Sequence, residues 1–181
     1  AEKKKQKKGK NQKLKALSPS QRQLNILLEY YQNGLHDDAE KLALSITQEF
    51  PRHNFSWKVL AEIFKKTGRT PEALDAGQKA VGIDPLDAEA HSNLGNALSE
   101  LGRLEEAEAS YTKAIQLKPD YAGVHNNLGN TLKELERLDE AEASYNQAIA
   151  MKPDYAEAHN NLSIVLQEQG RLEEAEAGYT K

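Results

Sequence analysis

Residues 103–122 read RLEEAEASYTKAIQLKPDYA, and residues 137–156 read RLDEAEASYNQAIAMKPDYA. The two stretches begin 34 residues apart, and a third copy of their first part begins at Arg171. Outside these stretches, prolines keep the same spacing at Pro51, Pro85, Pro119 and Pro153. A fixed period of this size, kept without insertions, predicts a solenoid built from identical supersecondary units.

The period divides the chain into units that begin at Ser20. Four units are complete and the fifth is shorter: 20–53, 54–87, 88–121, 122–155 and 156–181. We predict two helices in each unit. In the third unit, apolar residues recur at helical spacing over Ala88–Leu101, and Gly102 favours the left-handed conformation that ends a helix. A second helix is predicted over Leu104–Leu117, because Pro119 then prevents its continuation.

The repeated positions resemble the tetratricopeptide repeat pattern, in which aromatic, Leu-Gly, Ala and Pro residues stand at fixed offsets. The second unit matches at Trp57, Leu60, Ala61, Phe64, Ala73 and Pro85; the third at Leu94, Gly95, Ala107, Tyr111, Ala114 and Pro119; the fourth at Leu128, Gly129, Ala141, Tyr145, Ala148 and Pro153. The resemblance covers residues 20–181. It implies an all-α, right-handed superhelical solenoid of antiparallel helix pairs.

Four positions depart from that pattern. Leu27 stands where a small residue is usual and Ile46 where Ala is usual, so the first unit resembles a divergent N-terminal cap. Gly77 replaces the second aromatic of the second unit. Glu136 replaces the turn glycine of the fourth unit. We expect Glu136 to adopt the left-handed conformation nevertheless, although this costs a residue other than Gly roughly 1 kcal/mol.

Charge is distributed unevenly along the chain. Residues 1–19 contain eight Lys and one Glu, whereas the remaining residues are acidic overall. The segment 1–19 is predicted to be a disordered basic tail, because it has too few apolar side chains to offset the entropy of ordering. It serves either as a solubilising tail or as a polybasic segment for nucleic acid, anionic lipid or an acidic partner. The acidic array itself is an unfavourable platform for nucleic acid.

We find no sign of a catalytic, metal or cofactor site in the sequence. It contains no Cys and no nucleotide-binding or H-E-x-x-H motif. His91, His125 and His159 recur at one repeat position, but equivalent helices in a stack are roughly 8–10 Å apart, too far for ligands of one metal. Trp57 occupies the same position in the second unit, which indicates a packing role.

Asparagine recurs on the predicted first helices, although it is a mediocre helix former. Asn25, Asn93, Asn127 and Asn161 share one repeat position, which Val59 occupies in the second unit. Asn96 and Asn130 recur three residues later, and Asn126 and Asn160 one residue earlier. All eight asparagines are candidate binding residues. The resemblance implies that first helices line a concave groove, where amides can bond the backbone of an extended peptide. The alternative is repeat duplication with hydrogen bonding between helices.

These observations predict a scaffold that binds an extended peptide or partner protein and is not itself an enzyme. Repeats such as VHNNLGNTLKELERLDEAEASY at 124–145 are similar to those preceding the catalytic domain of O-linked N-acetylglucosamine transferases and their bacterial relatives, and similar arrays precede bacterial sulfotransferase domains. The alternative function is therefore the substrate-recognition arm of a longer transferase.

Another type of groove in the family binds the terminal carboxylate of a peptide through Lys and Arg side chains. Glu157 and Asn161 stand where such a groove needs these basic residues, which argues against this type of groove. We expect a cytoplasmic protein without a membrane span, which could self-associate through its C-terminal edge.

Overall fold

The structure is a computed structural model that describes residues 18–179. It contains ten helices in that range: α1 (Gln21–Gln32), α2 (His36–Glu49), α3 (Asn54–Lys66), α4 (Thr70–Ile83), α5 (Ala88–Glu100), α6 (Leu104–Leu117), α7 (Ala122–Glu134), α8 (Leu138–Met151), α9 (Ala156–Glu168) and α10 (Leu172–Tyr179). They form five antiparallel pairs, one in each predicted unit, and the described range contains no strand. The predicted basic tail lies outside the described residues, apart from Ser18 and Pro19.

Helix ends follow the local sequence. Ser20 caps α1 with a capping box, in which its hydroxyl accepts from Gln23 N and the Gln23 side chain accepts from Ser20 N. Asp87 caps α5 by accepting from the backbone N–H groups of Glu89 and Ala90. The bounds of α5 and α6 agree with the sequence prediction to within one residue.

The turn inside each pair has the left-handed backbone that the sequence predicted. Gly102 has a φ of 70°, and glycines at the equivalent place in the first, second and fifth units are similar. Glu136 has a φ of 60° at the same place in the fourth unit, and no other residue with a side chain has a positive φ in the described range. The predicted turn at Glu136 is confirmed.

Glu136→Gly is expected to raise the free energy of unfolding by about 1 kcal/mol, because Gly has no Cβ to oppose a positive φ. The matched control is Gly102→Glu, which should lower it by a similar amount at the equivalent turn. Both are measured by chemical denaturation followed by circular dichroism. A lower stability for Glu136→Gly would contradict this account of the turn.

The helices form an inner and an outer layer. Successive first helices contact each other directly, as in α3–α5, α5–α7 and α7–α9, whereas successive second helices make no contacts of similar extent among the ten described. The first helices are therefore closer together and lie on the concave side. The core runs between the layers, where one fully buried alanine recurs in each unit: Ala39, Ala73, Ala107, Ala141 and Ala175.

Polar contacts between units repeat with the sequence. Arg137 Nη1 lies 2.6 Å from Glu108 of the preceding unit, and Arg171 Nη1 lies 2.6 Å from Glu142. Arg103 stands at the same position, but Leu74 occupies the place of its partner. Among the described residues, Arg103 therefore pairs only with Glu106 in the first turn of α6. None of the ten helices combines the length and the apolar character needed to cross a membrane.

Candidate functional site

A polar depression of about 220 Å³ lies on the concave layer, between α5 and α7. It brings together three of the predicted site residues, Asn96, Asn127 and Asn130. The other lining residues are Lys65, Ser99, Glu100, Tyr111 and Glu134. The structure therefore gathers part of the predicted asparagine set at the middle of the array.

A hydrogen-bond network orients the amides in this depression. Asn96 Oδ1 accepts from the Tyr111 hydroxyl at 2.9 Å and from Asn127 Nδ2 at 2.9 Å. One unit further on, Asn130 Oδ1 accepts from the Tyr145 hydroxyl at 2.8 Å and from Asn161 Nδ2 at 3.0 Å. The same three-residue arrangement thus occurs twice.

The network leaves particular amide N–H groups without an acceptor among the described residues. The amide oxygens of Asn96 and Asn130 each accept two bonds, which fixes the direction of both side chains. Every side-chain bond of the two residues within the described range is to Oδ1, so their Nδ2 groups have no acceptor there, and both side chains are partly exposed. Asn96 and Asn130 therefore present amide N–H donors that the described array does not use, whereas Asn127 donates one of its two N–H groups and Asn161 donates to two acceptors.

Asn126 is a structural member of the network. It is fully buried, accepts from Asn161 Nδ2 at 3.1 Å and donates to Glu157 Oε1 at 3.0 Å. These bonds join α7 to α9. Asn126 therefore links two units and is not among the residues that line the depression.

The other predicted asparagines lie apart from this network. Asn93 is 7% exposed, and its Nδ2 is buried without an acceptor among the described residues. Glu62 stands at the preceding unit's equivalent of Asn96, but Asn93 makes no bond to it that would correspond to the bond from Asn127 to Asn96. Asn25 is exposed and accepts from Gln21 Nε2, and Asn160 is exposed on α9.

The tyrosines of the network remain hydrogen-bond donors. Burial raises the pKa of the Tyr111 phenol well above its ordinary value, and the carboxylates of Glu100 and Glu134 raise it further. Burial likewise raises the pKa of Tyr145, with Glu168 and Glu134 among the further causes. Both hydroxyls are therefore protonated at neutral pH and able to donate to the asparagines.

The repeated histidines are not brought together. Each ring bonds the carbonyl of the proline six residues earlier, with His91 to Pro85 at 3.0 Å and His125 to Pro119 at 3.1 Å. Trp57 Nε1 donates to the Pro51 carbonyl at 2.9 Å in the same way. Because a carbonyl oxygen can only accept, the ring nitrogen donates in each of these bonds. This repeat position therefore links a helix to the turn that precedes it. No group of three or more metal-ligating side chains occurs within the described part of the chain.

Comparison with known proteins decides the family. The sequence profile of the TPR repeat matches three consecutive segments, 61–102, 95–136 and 129–170, which together span more than half of the chain. This chain is a member of the TPR repeat family. A search of curated proteins gave no match.

Solved structures agree with the TPR assignment. MamA superposes with a TM-score of 0.78 at 22% identity, covering 86% of this chain and 91% of that one. PilF of Pseudomonas aeruginosa superposes with a TM-score of 0.79 at 21% identity, covering 88% of this chain and 72% of that one. TTC0263, a thermophilic TPR protein of Thermus thermophilus, superposes with a TM-score of 0.72 at 29% identity, covering 88% of each chain. The first two likenesses show the fold alone.

Sequence analysis identified the asparagines of this TPR array but not the residues that orient them. Tyr111 and Tyr145 entered the sequence analysis only as pattern aromatics, yet each holds an asparagine oxygen. Their rings lie against Gly95 and Gly129, where an added Cβ would meet the ring at 2.6 and 2.5 Å. The sequence did contain a signal for this contact. In two units a Gly is followed directly by an Asn and, sixteen residues after the Gly, by a Tyr.

Asn93→Val and Asn127→Val should change stability in opposite directions. A buried donor without a partner costs roughly 1–3 kcal/mol, so removing that of Asn93 should stabilise the TPR array by about 1 kcal/mol. Val59 already fills the equivalent position one unit earlier. Asn127→Val loses the bond to Asn96 and should destabilise by about 0.5–1.5 kcal/mol. Denaturant midpoints of the two variants test the contrast, and a loss of stability in both would contradict it.

Proposed function

We propose that this TPR array is a protein-interaction scaffold whose concave face binds an extended segment of a partner protein. The observation that supports this most directly is the pair of oriented donors at Asn96 and Asn130. Both side chains line an open depression, and neither Nδ2 donates to an acceptor among the described residues. Such groups match the carbonyl oxygens of a peptide backbone.

The repeat spacing suits an extended ligand. Adjacent first helices are roughly 8–10 Å apart. An extended chain advances roughly 3.3 Å per residue. Asn96 and Asn130 can therefore bond carbonyls about three residues apart. Contacts of this kind involve the peptide backbone and not its side chains, so we expect the site to accept many peptide sequences. The affinity should be modest, since each neutral hydrogen bond contributes only about 0.5–1.5 kcal/mol.

The predicted ladder of Asn93, Asn127 and Asn161 takes a supporting role in this proposal. The Nδ2 groups of Asn127 and Asn161 donate to Asn96 and Asn130 of the preceding unit, respectively. These bonds hold the side chains of Asn96 and Asn130 in one orientation. Their oxygens, and the exposed amides of Asn25 and Asn160, extend the polar surface along the concave face. No catalytic role is proposed for any of these residues.

The same proposal covers the transferase alternative. If the array is the recognition arm of a glycosyltransferase or sulfotransferase, the concave face binds the substrate protein. Self-association through the last helix pair and a cytoplasmic location stay predictions.

Replacing Asn96 and Asn130 by Asp tests the proposal with almost no change of shape. Asp keeps the oxygen that accepts from Tyr and Asn but replaces the N–H donors, so a carboxylate would face the peptide carbonyls. A neutral peptide is first selected by display against the full chain, and its affinity is measured by calorimetry. We expect the double variant to bind at least about fivefold more weakly, since two bonds of about 0.5–1.5 kcal/mol are lost and a tenfold change corresponds to about 1.4 kcal/mol.

The matched control is Gln116→Glu with Asn146→Asp, which makes the same charge change on exposed positions of α6 and α8. The control should bind the peptide as the unmodified chain does. Undiminished binding by Asn96→Asp/Asn130→Asp, at unchanged helicity, would overturn the proposal.

A further inference from the structure

The turn between α1 and α2 contains a chemically labile pair of residues. Asn33 is the C-cap residue of α1, and Gly34 follows it with a φ of 72°. Both residues are exposed, and no other asparagine of the chain is followed by a glycine. Asparagine is one of the thermolabile residues of proteins. The pair is therefore a candidate for spontaneous modification.

The chemistry of this pair needs only the two residues and water. The backbone nitrogen of Gly34 attacks Cγ of the Asn33 amide, so a bond from N to Cγ forms and the bond from Cγ to Nδ2 breaks. The amide proton of Gly34 leaves with Nδ2 as ammonia, and a cyclic imide remains. Water then opens the imide at either carbonyl, which gives aspartate or isoaspartate. Glycine favours the attack, because it has no Cβ and its backbone rotates freely.

The closed turn restrains this reaction. Gly34 N donates to the Tyr31 carbonyl at 3.2 Å, and Leu35 N donates to the Tyr30 carbonyl at 2.9 Å. These bonds hold the peptide group between Asn33 and Gly34, where Asn33 has a ψ of 3°. Attack on Cγ requires that peptide group to rotate, and the rotation breaks the bonds. The rate of conversion therefore depends on how often the end of α1 opens.

The first unit has the weakest support for its first helix. Within the described range, α1 packs extensively on α2 alone, whereas α3 packs on α2, α4 and α5. Leu28 of α1 and Leu35 of the turn remain 39% and 46% exposed. In a repeat array, the stability of a unit depends on the neighbours that it contacts. Asn33 and Gly34 thus lie where the described array opens most easily.

We propose that Asn33 is a site of spontaneous deamidation and that opening of the first unit sets its rate. The inference does not depend on the concave face or on any partner. It makes the turn between α1 and α2 a one-way chemical timer, because ammonia is lost when the imide forms.

Neither product fits the closed turn. Aspartate places a negative charge at the C-terminus of α1, where the helix dipole disfavours it, and Asp37 and Asp38 follow in the first turn of α2. Isoaspartate routes the main chain through Cβ and lengthens the turn, so the N–H groups of Gly34 and Leu35 are shifted from their acceptors. Each conversion therefore favours the open form of the first unit.

Mass spectrometry of the full chain tests the site. The protein is incubated at mildly alkaline pH and digested, and the mass gain at each asparagine is followed with time. An isoaspartyl methyltransferase detects the isoaspartate. We expect Asn33 to convert faster than any other asparagine in residues 18–179, and Asn33→Gln to leave this turn unconverted over the same time. Faster conversion at Asn54 or Asn146 than at Asn33 would overturn the proposal.

A second Asn–Gly pair separates the intrinsic chemistry from the opening of the unit. Thr67→Asn creates the pair at the equivalent turn of the second unit, where residue 67 has a ψ of 7° and Gly68 has a φ of 71°. Because α3 has three packing partners, we expect residue 67 to convert more slowly than Asn33 within the same molecules. In denaturant the two rates should become similar, since neither turn is then closed.

Leu101→Asn, which precedes Gly102, repeats the comparison in the third unit, so the test stands even if one of the two variants loses helicity by circular dichroism. Native rates at residues 67 and 101 that equal the rate at Asn33 would overturn the role given to the opening of the first unit.

Asn33→Asp reproduces one product directly. The protection of the Gly34 and Leu35 amides against hydrogen exchange should fall by about two- to fivefold, the change expected for a charge opposed to a helix dipole. Asn146→Asp, which makes the same charge change at an exposed position of α8, should leave this protection unchanged. Undiminished protection in Asn33→Asp would overturn the inferred effect of aspartate on the turn.

Discussion

Gly129→Ala is expected to lower the free energy of unfolding by about 1–3 kcal/mol, although Ala is normally the better helix former. A Cβ at this position would lie 2.5 Å from Cε1 and 2.7 Å from Cδ1 of Tyr145. The Tyr145 ring is fully buried, so it cannot move aside without disturbing its neighbours. For a chain of this size the melting temperature should fall by about 2–4 °C per kcal/mol.

The control for this prediction lies on the same helix. Gly123 is the second residue of α7, and an added Cβ there meets nothing within 4 Å. Gly123→Ala should therefore leave stability unchanged or raise it by up to about 1 kcal/mol. Opposite signs for two Gly→Ala changes in one helix would isolate the contact with Tyr145. Equal effects at both positions would contradict the packing described here.

Tyr145→Ala should be more damaging, at about 3–5 kcal/mol, because it leaves a cavity and removes the bond to Asn130. Tyr145→Phe keeps the ring and should cost only about 0.5–1.5 kcal/mol, since Asn130 Oδ1 still accepts from Asn161. Chemical denaturation of the two variants separates packing from hydrogen bonding. A Phe variant as unstable as the Ala variant would mean that the hydroxyl, rather than the ring, supplies most of the stability.

The double variant Gly129→Ala/Tyr145→Ala adds a test of the contact itself. Once the ring is absent, the methyl group at residue 129 has room, so the combined loss should be smaller than the sum of the two single losses. Effects that add to within about 0.5 kcal/mol would indicate that the two residues do not interact.

The sequence was sufficient to predict the fold because the repeat makes every local signal occur several times. Pro119 and Gly102 each mark a helix boundary that the structure places within a residue of the prediction. Even the exception at Glu136 was predictable, because its position within the unit requires a left-handed turn whichever residue occupies it.

The candidate site was only partly predictable from the sequence. The 34-residue recurrence of asparagine identified the relevant helix face, but it could not show which amide groups the array itself consumes. That depends on side-chain direction: Asn127 points back to Asn96, while Asn93 makes no such bond to Glu62, which stands at the equivalent place. The roles of Tyr111 and Tyr145 depend on pairs of helices within a unit, which the sequence pattern describes only as packing.

The contacts of the helices also determine how the molecule folds and opens. Each described helix packs against its immediate neighbours in the sequence, and α3, α5 and α7 also contact the next first helix. Contacts of such short sequence separation favour rapid folding. Repeat arrays of this kind can also lose their terminal units without losing the rest. The depression between α5 and α7 lies in the middle units. A molecule that frays at both ends therefore keeps its central amides assembled longest.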